Sequence, residues 1–187
     1  MKTVKLLSLF ISLFAFVSFA QEVKFNPTKS EIKWTGKKVS GEHFGNINLK
    51  EGSITLKGNA IVAGKFVIDM TSITVKDLEP GEWHDKLLGH LKSDDFFGVE
   101  KYPQAVLVID KSTPLMNKMV TITGKLTIKG KTQPVVFVAT KTDMGYTAKI
   151  MVDRTKYDIR YGSGKFFENL GDKMIYDDFT LEVTLVK

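Results

Sequence analysis

The chain has 187 residues, a formal net charge of +6 and no cysteine. This length fits a single domain, and the 43% apolar and 26% charged residues argue against a disordered chain and against a multi-span membrane protein. Without cysteine, this sequence excludes disulfides, thiolate catalysis, thiolate metal ligands, covalent haem attachment and a lipid-modified N-terminal cysteine.

The first twenty residues are predicted to form a secretory signal peptide. Two lysines precede an apolar run over residues 6–17, and small residues occupy the −3 and −1 positions before Gln21. The run is shorter than the ~20 residues that a transmembrane helix needs. Cleavage after Ala20 would leave a domain of residues 21–187 whose mild, scattered basic excess argues against nucleic acid as a partner. We therefore expect a periplasmic or secreted protein.

The rest of the chain alternates between apolar and polar residues with a period of two, which predicts strands with one buried and one wet face. The alternating runs lie near residues 31–35, 46–50, 53–57, 65–70, 120–129, 146–152 and 179–185. Short glycine-containing gaps between runs favour hairpins, and hence an antiparallel sheet. These turns are predicted at Glu51-Gly52, Lys57-Gly58-Asn59, Lys129-Gly130-Lys131 and Asp143-Met144-Gly145.

Eight or more such strands with a polar outer face predict an all-β fold whose apolar face points inward at itself. A closed up-and-down antiparallel barrel achieves this and also removes exposed sheet edges. An open sandwich produces the same periodicity, so the pattern alone does not separate the two.

One stretch departs from the period of two and predicts a small helical insertion. Trp83, Leu87 and Leu91 recur at helical spacing within residues 82–92. Ser93 then resembles the N-cap of a second short helix, with two aspartates in its first turn. We expect this insertion to cover one end or flank of the barrel.

The sequence predicts no enzyme, no cofactor and no metal. The glycine-rich residues 162–165 lack the upstream glycine of a phosphate-binding loop and miss the G-x-S-x-G serine motif. His84 and His90 are six positions apart and therefore lie on different faces of a helix. A site assembled in space from these two and His43 stays open at this stage.

Only two arginines follow Gln21, namely Arg154 and Arg160, in a chain that otherwise uses lysine. Arginine is favoured where a planar bidentate partner is held in a partly buried place. One interpretation is therefore a structural ion pair with Asp69, Asp153, Asp177 or Asp178. The other places both arginines, together with His43, as polar groups at the mouth of the barrel.

Four segments together resemble the YceI-like family in order and spacing, from about Asn26 to the end of the chain. They are residues 89–103, residues 34–37 with 41–45, residues 124–130 and residues 152–154. The resemblance implies a lipocalin-like antiparallel barrel with a helical insertion. It also implies a periplasmic or secreted carrier of long apolar chains such as polyisoprenoids, isoprenoid quinones or fatty-acid derivatives. It supplies no catalytic residues, and it leaves open a homodimer and a transient contact with a membrane or membrane protein.

We therefore expect an elongated lipid to bind in the lumen of the barrel, against apolar side chains. The strand residues predicted to line it are Trp34, Phe66, Ile68, Ile122, Leu126, Phe137 and Phe179. The insertion residues predicted to line it are Leu87, Leu91, Phe96 and Phe97. Two alternatives remain: a structural or stress-related interaction protein with a filled barrel, and a lipid-modifying enzyme. The enzyme would need a carboxylate or histidine within hydrogen-bond reach of the ligand, and an unpaired His43 or Asp69 facing the lumen would favour it.

Overall fold

The computed structural model describes residues 20–187. The predicted signal peptide, apart from Ala20, lies outside the described residues. Within them, no helix combines the length and apolar character needed to cross a membrane.

The described chain contains nine strands and one α-helix. The strands are β1 (Gln21–Lys24), β2 (Glu31–Lys38), β3 (Gly41–Lys57), β4 (Ala60–Asp69), β5 (Gln104–Ser112), β6 (Met119–Ile128), β7 (Lys131–Lys141), β8 (Gly145–Asp153) and β9 (Ile175–Val186). The helix α1 spans Glu82–Lys92, and short 3₁₀ turns occur at Met70–Ser72, Arg154–Tyr157 and Gly171–Lys173.

Strands β2 to β9 form a closed, entirely antiparallel barrel. Each strand pairs with the next one along the chain, and β9 returns to pair with β2. Strand β2 pairs with residues 41–47 of β3, and β1 pairs with residues 53–56 further along the same strand. The predicted antiparallel barrel with a small helical insertion is confirmed, and the closing β2–β9 pairing rules out the open sandwich.

The two ends of the barrel differ in what covers them. The segment between β4 and β5, which contains α1, and the segment 154–174 between β8 and β9 both lie at one end, which we call the cap end. Among residues 20–187, the opposite end carries the β3–β4, β5–β6 and β7–β8 turns together with residues 25–30, and we call it the hairpin end.

The turn predicted at Glu51-Gly52 is wrong, because β3 runs through this point. The strand shifts register by a bulge between Leu49 and Glu51 and continues to Lys57. Gly52 lies opposite Phe66, and a Cβ atom at residue 52 would sit only 2.6 Å from the Phe66 ring. The glycine therefore makes room for an aromatic ring and does not turn the chain.

The second short helix is also wrong, because Ser93 ends α1. Its backbone N–H bonds to the carbonyls of Gly89 and His90, and its hydroxyl donates to His90 at 2.8 Å. The chain then turns back on itself, and the Gly98 N–H bonds to the Ser93 carbonyl. Gly98 has a φ of +58°, a left-handed conformation that favours glycine and stops a helix.

Candidate functional site

The barrel encloses an apolar lumen with about 130 Å³ of space for the centre of a water-sized sphere. Its wall consists of the inward-facing side chains of the strands, together with Phe25 at the hairpin end and Met70, Ile73 and Phe97 from the segment between β4 and β5. Polar side-chain atoms are few: the wall includes the hydroxyl-bearing Tyr146 and the indole nitrogen of Trp34, which donates to the Thr74 carbonyl at 2.9 Å. Burial raises the pKa of Tyr146, so its hydroxyl stays neutral.

The structure places all seven strand residues predicted for the lumen at its wall. They are Trp34, Phe66, Ile68, Ile122, Leu126, Phe137 and Phe179. Their inward orientation follows directly from the alternation of each strand. Along β9, for example, Phe179, Leu181, Val183 and Leu185 all face the lumen, and six residues of strand extend over about 20 Å.

Of the four insertion residues predicted for the lumen, only Phe97 lines it. Leu91 and Phe96 are buried in the core of the cap end, and Leu87 packs against that core half-buried. The Phe96 ring lies 5.1 Å from the Phe97 ring, so it supports the lining residue from behind. The helical spacing is only partly confirmed as a buried face, because Leu91 is buried and Leu87 half-buried, whereas Trp83 is 73% exposed.

Two buried aromatic rings close the lumen at its ends. At the cap end the Phe97 ring packs 6.2 Å from the Phe179 ring. At the hairpin end Phe25, which is only 4% exposed, lies 5.7 Å from the Phe66 ring and 6.2 Å from the Tyr146 ring. Phe66 and Tyr146 belong to β4 and β8, which stand on opposite sides of the barrel. Phe25 therefore crosses the lumen. Periodicity does not predict this role, because Phe25 stands outside every alternating run.

Arg154 does not lie free at a mouth, as one interpretation proposed, but holds the cap end together. Its guanidinium donates to the carbonyls of Ile159, Ile175 and Tyr176 at 2.8, 3.0 and 3.1 Å. Asp177, one of the partners expected for a structural pair, lies 3.7 Å away. Burial lowers the pKa of Arg154, and this carboxylate opposes the shift.

The other two residues predicted for a polar mouth do not line the lumen either. Arg160 is exposed and pairs with Asp158 at 2.9 Å. His43 lies 2.7 Å from a carboxylate oxygen of Asp77, whose other oxygen accepts the Phe44 N–H at 2.9 Å. This contact ties the segment after β4 to the start of β3. Neither Asp158 nor Asp77 was among the predicted partners.

The three histidines do not come together. His84 contacts the neighbouring Asp85, and His90 packs between the rings of Phe96 and Tyr161. Across residues 20–187, no three His, Asp or Glu side chains are arranged so that they could hold a metal ion.

Comparisons with known proteins agree with this architecture. Residues 24–187 match the family model of the YceI-like domain. A UPF0312 protein of Pseudomonas putida is 32% identical over 92 residues, which cover 48% of this chain and 44% of that protein. The match therefore spans less than half of the relative's length.

Solved structures share the fold at low sequence identity. BcnA of Burkholderia cenocepacia superposes with a TM-score of 0.70 at 20% identity, covering 87% of this chain and 99% of BcnA. A polyisoprenoid-binding domain from Saccharophagus degradans, implicated in plant cell wall breakdown, gives 0.58 at 12% identity and covers 87% and 95%. Because the family model matches nearly all of the described residues, the chain belongs to the YceI-like domain family.

Proposed function

We propose that the protein is a secreted or periplasmic carrier that binds an elongated apolar lipid in the barrel lumen. The lipid class is a polyisoprenoid, an isoprenoid quinone or a fatty-acid derivative. The single observation that carries this proposal is the continuous apolar wall of the lumen, which offers hydrocarbon contacts and few polar groups. The polyisoprenoid-binding domain that shares the fold supports the same class of ligand. The signal-like N-terminus supports the compartment.

Binding would be driven by transfer of hydrocarbon out of water. Each buried CH₂ group contributes about 0.8 kcal/mol. Tyr146 lies at the lumen wall near the hairpin end, where its hydroxyl would orient one polar group of the ligand. A pocket of this kind needs no catalytic group.

The alternatives are weaker on the geometry. An unpaired His43 or Asp69 in the lumen would favour the enzyme hypothesis, but His43 contacts Asp77, and Asp69 accepts hydrogen bonds from the backbone and hydroxyl of Thr71. The filled-barrel hypothesis predicts no internal space, whereas the lumen contains about 130 Å³.

The primary test is native mass spectrometry of the protein purified from its own periplasm, followed by solvent extraction. We expect a bound isoprenoid or acyl lipid, and recovery from the periplasmic fraction with Gln21 as the first residue. Protein recovered free of lipid, which also fails to take up a long-chain polyisoprenol, an isoprenoid quinone or palmitate, would contradict the proposal and favour the filled barrel.

A substitution in the lumen sharpens this test. Phe66→Asp puts a carboxylate against the apolar wall and should abolish lipid loading, because an unpaired charge there is strongly unfavourable. Val62→Asp is the matched control, since residue 62 lies on the same strand with an exposed side chain. Ala105→Phe fills the lumen without adding charge and should also reduce loading. Unchanged loading in folded Phe66→Asp and Ala105→Phe would exclude this lumen as the site.

A further inference from the structure

The seam between β7 and β8 is the least paired part of the barrel wall. Only Ala139–Ala148, Thr140–Thr147 and Lys141–Tyr146 pair across it, all next to the hairpin. The other seven seams contain six to ten residue pairs each. Within the described chain, residues 133–138 of β7 and 149–153 of β8 form no ladder with one another. At the cap end the gap is bounded by the Gln133 side chain, which donates to the Lys156 carbonyl at 3.0 Å.

Each edge of this gap has an exposed apolar side chain on the outside, although Lys149 and Asp153 also point outward from β8. Val136 and Met151 point outward and are 67% and 72% exposed, although outward positions on the neighbouring β6 and β9 are mostly threonine or charged residues. Behind them, Val135 and Phe137 face the lumen yet are only half-buried. A hydrocarbon chain crossing the wall between Val136 and Met151 would therefore meet apolar side chains on both edges of the gap.

The lumen also approaches the outer surface near this seam. Thr147, Ala148 and Val183 border both the lumen and a groove on the outside of the barrel. The outer groove also includes Val138 and Lys149, which are adjacent to Ala139 and Ala148, the pair furthest from the hairpin. Small side chains thus separate the inside from the outside at this point.

The lumen must widen to accept a long chain. Its free space is close to that of an engineered cavity of about 150 Å³ that binds benzene. Widening the barrel at any fully paired seam would break ladder hydrogen bonds, and the two ends are closed by Phe97 and Phe25. Separating β7 from β8 on the cap-end side of their three paired residues breaks the fewest ladder pairs.

We propose that the β7–β8 seam is a lateral portal through which a single hydrocarbon chain passes into the lumen. This inference rests on the proposed function. It specifies the route of the ligand, and the ends of the barrel stay closed during loading.

A disulfide across the seam tests this route. Because the natural chain has no cysteine, two introduced cysteines have no other thiol in the chain to pair with. Val138→Cys with Lys149→Cys extends the pairing by one step and restrains the strands from separating. The probe is cis-parinaric acid, a polyene fatty acid whose fluorescence rises in an apolar site, and its uptake is followed by stopped flow. The control is Thr35→Cys with Thr180→Cys, which joins outward positions already paired between β2 and β9.

Oxidation of the seam variant should slow uptake at least about tenfold, which corresponds to about 1.4 kcal/mol of additional barrier. The final loading should be unchanged, reduction should restore the rate, and oxidation of the control should leave the rate unchanged. Equal rates in the oxidised and reduced seam variant would overturn the portal while leaving lumen binding intact. Absence of loading in every reduced protein would instead contradict the proposed function, and the portal with it.

A second variant covers the case in which the cysteines do not oxidise. Met151→Glu places a carboxylate on the exposed edge of β8, where it should not disturb folding. It should slow uptake by at least about threefold through the cost of moving hydrocarbon past a charge. Wild-type uptake kinetics in this variant would count against the portal.

Discussion

The two ends of the barrel are closed in different ways. At the cap end, a buried guanidinium bonds to three backbone carbonyls and so fastens the segment 154–174 to the start of β9. At the hairpin end, one phenylalanine ring crosses between opposite strands with no polar contact of its own side chain. A polar network depends on each of its members being present, whereas an apolar contact depends on shape and volume. The ends should therefore respond differently to substitution.

The largest effect is expected from Arg154→Met, which breaks the cap end. It leaves the carbonyls of Ile159, Ile175 and Tyr176 without their donor, and it should lower the free energy of unfolding by about 3–5 kcal/mol. Urea unfolding measures the loss. Arg160→Met is the matched control and should cost less than about 1 kcal/mol, because this arginine is exposed. Equal losses in the two variants would show that the buried network does not hold the cap.

A somewhat smaller effect is expected from Phe25→Ala, which breaks the hairpin end. Removal of a buried phenylalanine ring typically costs about 3 kcal/mol or more, through lost burial and the cavity left behind. Phe167→Ala is the matched control, since this ring is half exposed and should cost about 0.5 kcal/mol. Thermal unfolding of both variants distinguishes them. A loss below about 1 kcal/mol for Phe25→Ala would mean that the ring does not close the lumen.

The smallest expected effect is a pH dependence of the free energy of unfolding, which arises from Asp77 at the cap end. Burial of Asp77 opposes its ionisation, but hydrogen bonds from Phe44 and His43 outweigh this and lower its pKa below the ordinary value. A carboxyl group with a lowered folded-state pKa contributes stability above about pH 4 and loses it as the pH falls through the folded pKa. Asp77→Asn should therefore cost about 1.5 kcal/mol at pH 7, and less as the pH falls below about 4.

Urea unfolding of wild type and Asp77→Asn between pH 7 and pH 2.5 provides this measurement. Asp143→Asn is a suitable control, because residue 143 lies in the β7–β8 turn, away from the cap end. A difference between wild type and Asp77→Asn that stays constant over the whole pH range would contradict the assignment.

The sequence predicted the wall of the lumen well and its ends poorly, for a physical reason. Alternation fixes which way a strand residue points, so residues such as Trp34 and Phe179 could be assigned to the inside. It does not reveal a single residue such as Phe25, which lies between two strands. Nor does it show that Arg154 bonds mainly to backbone carbonyls, because these are the same in every residue.

The weak β7–β8 pairing was likewise absent from the sequence analysis. Strand β8 alternates regularly and β7 contains a continuous apolar run over residues 134–139, yet each strand is well paired on its other side. Pairing depends on how two strands lie relative to each other, which the periodicity of either strand alone does not contain. The Glu51-Gly52 error has the same origin, since the role of Gly52 is set by Phe66 on another strand.

The closing β2–β9 pairing has a consequence for the kinetics of folding. Seven of the eight seams join strands that are consecutive in the chain, but Glu31 pairs with Thr184 across almost the whole described sequence. Contacts between such distant residues carry a large loop-closure entropy, and barrels dominated by them fold on a scale of about milliseconds to seconds. The consecutive hairpins can form first, as an open curved sheet. The enclosed apolar interior then comes into existence only when the last strand meets β2.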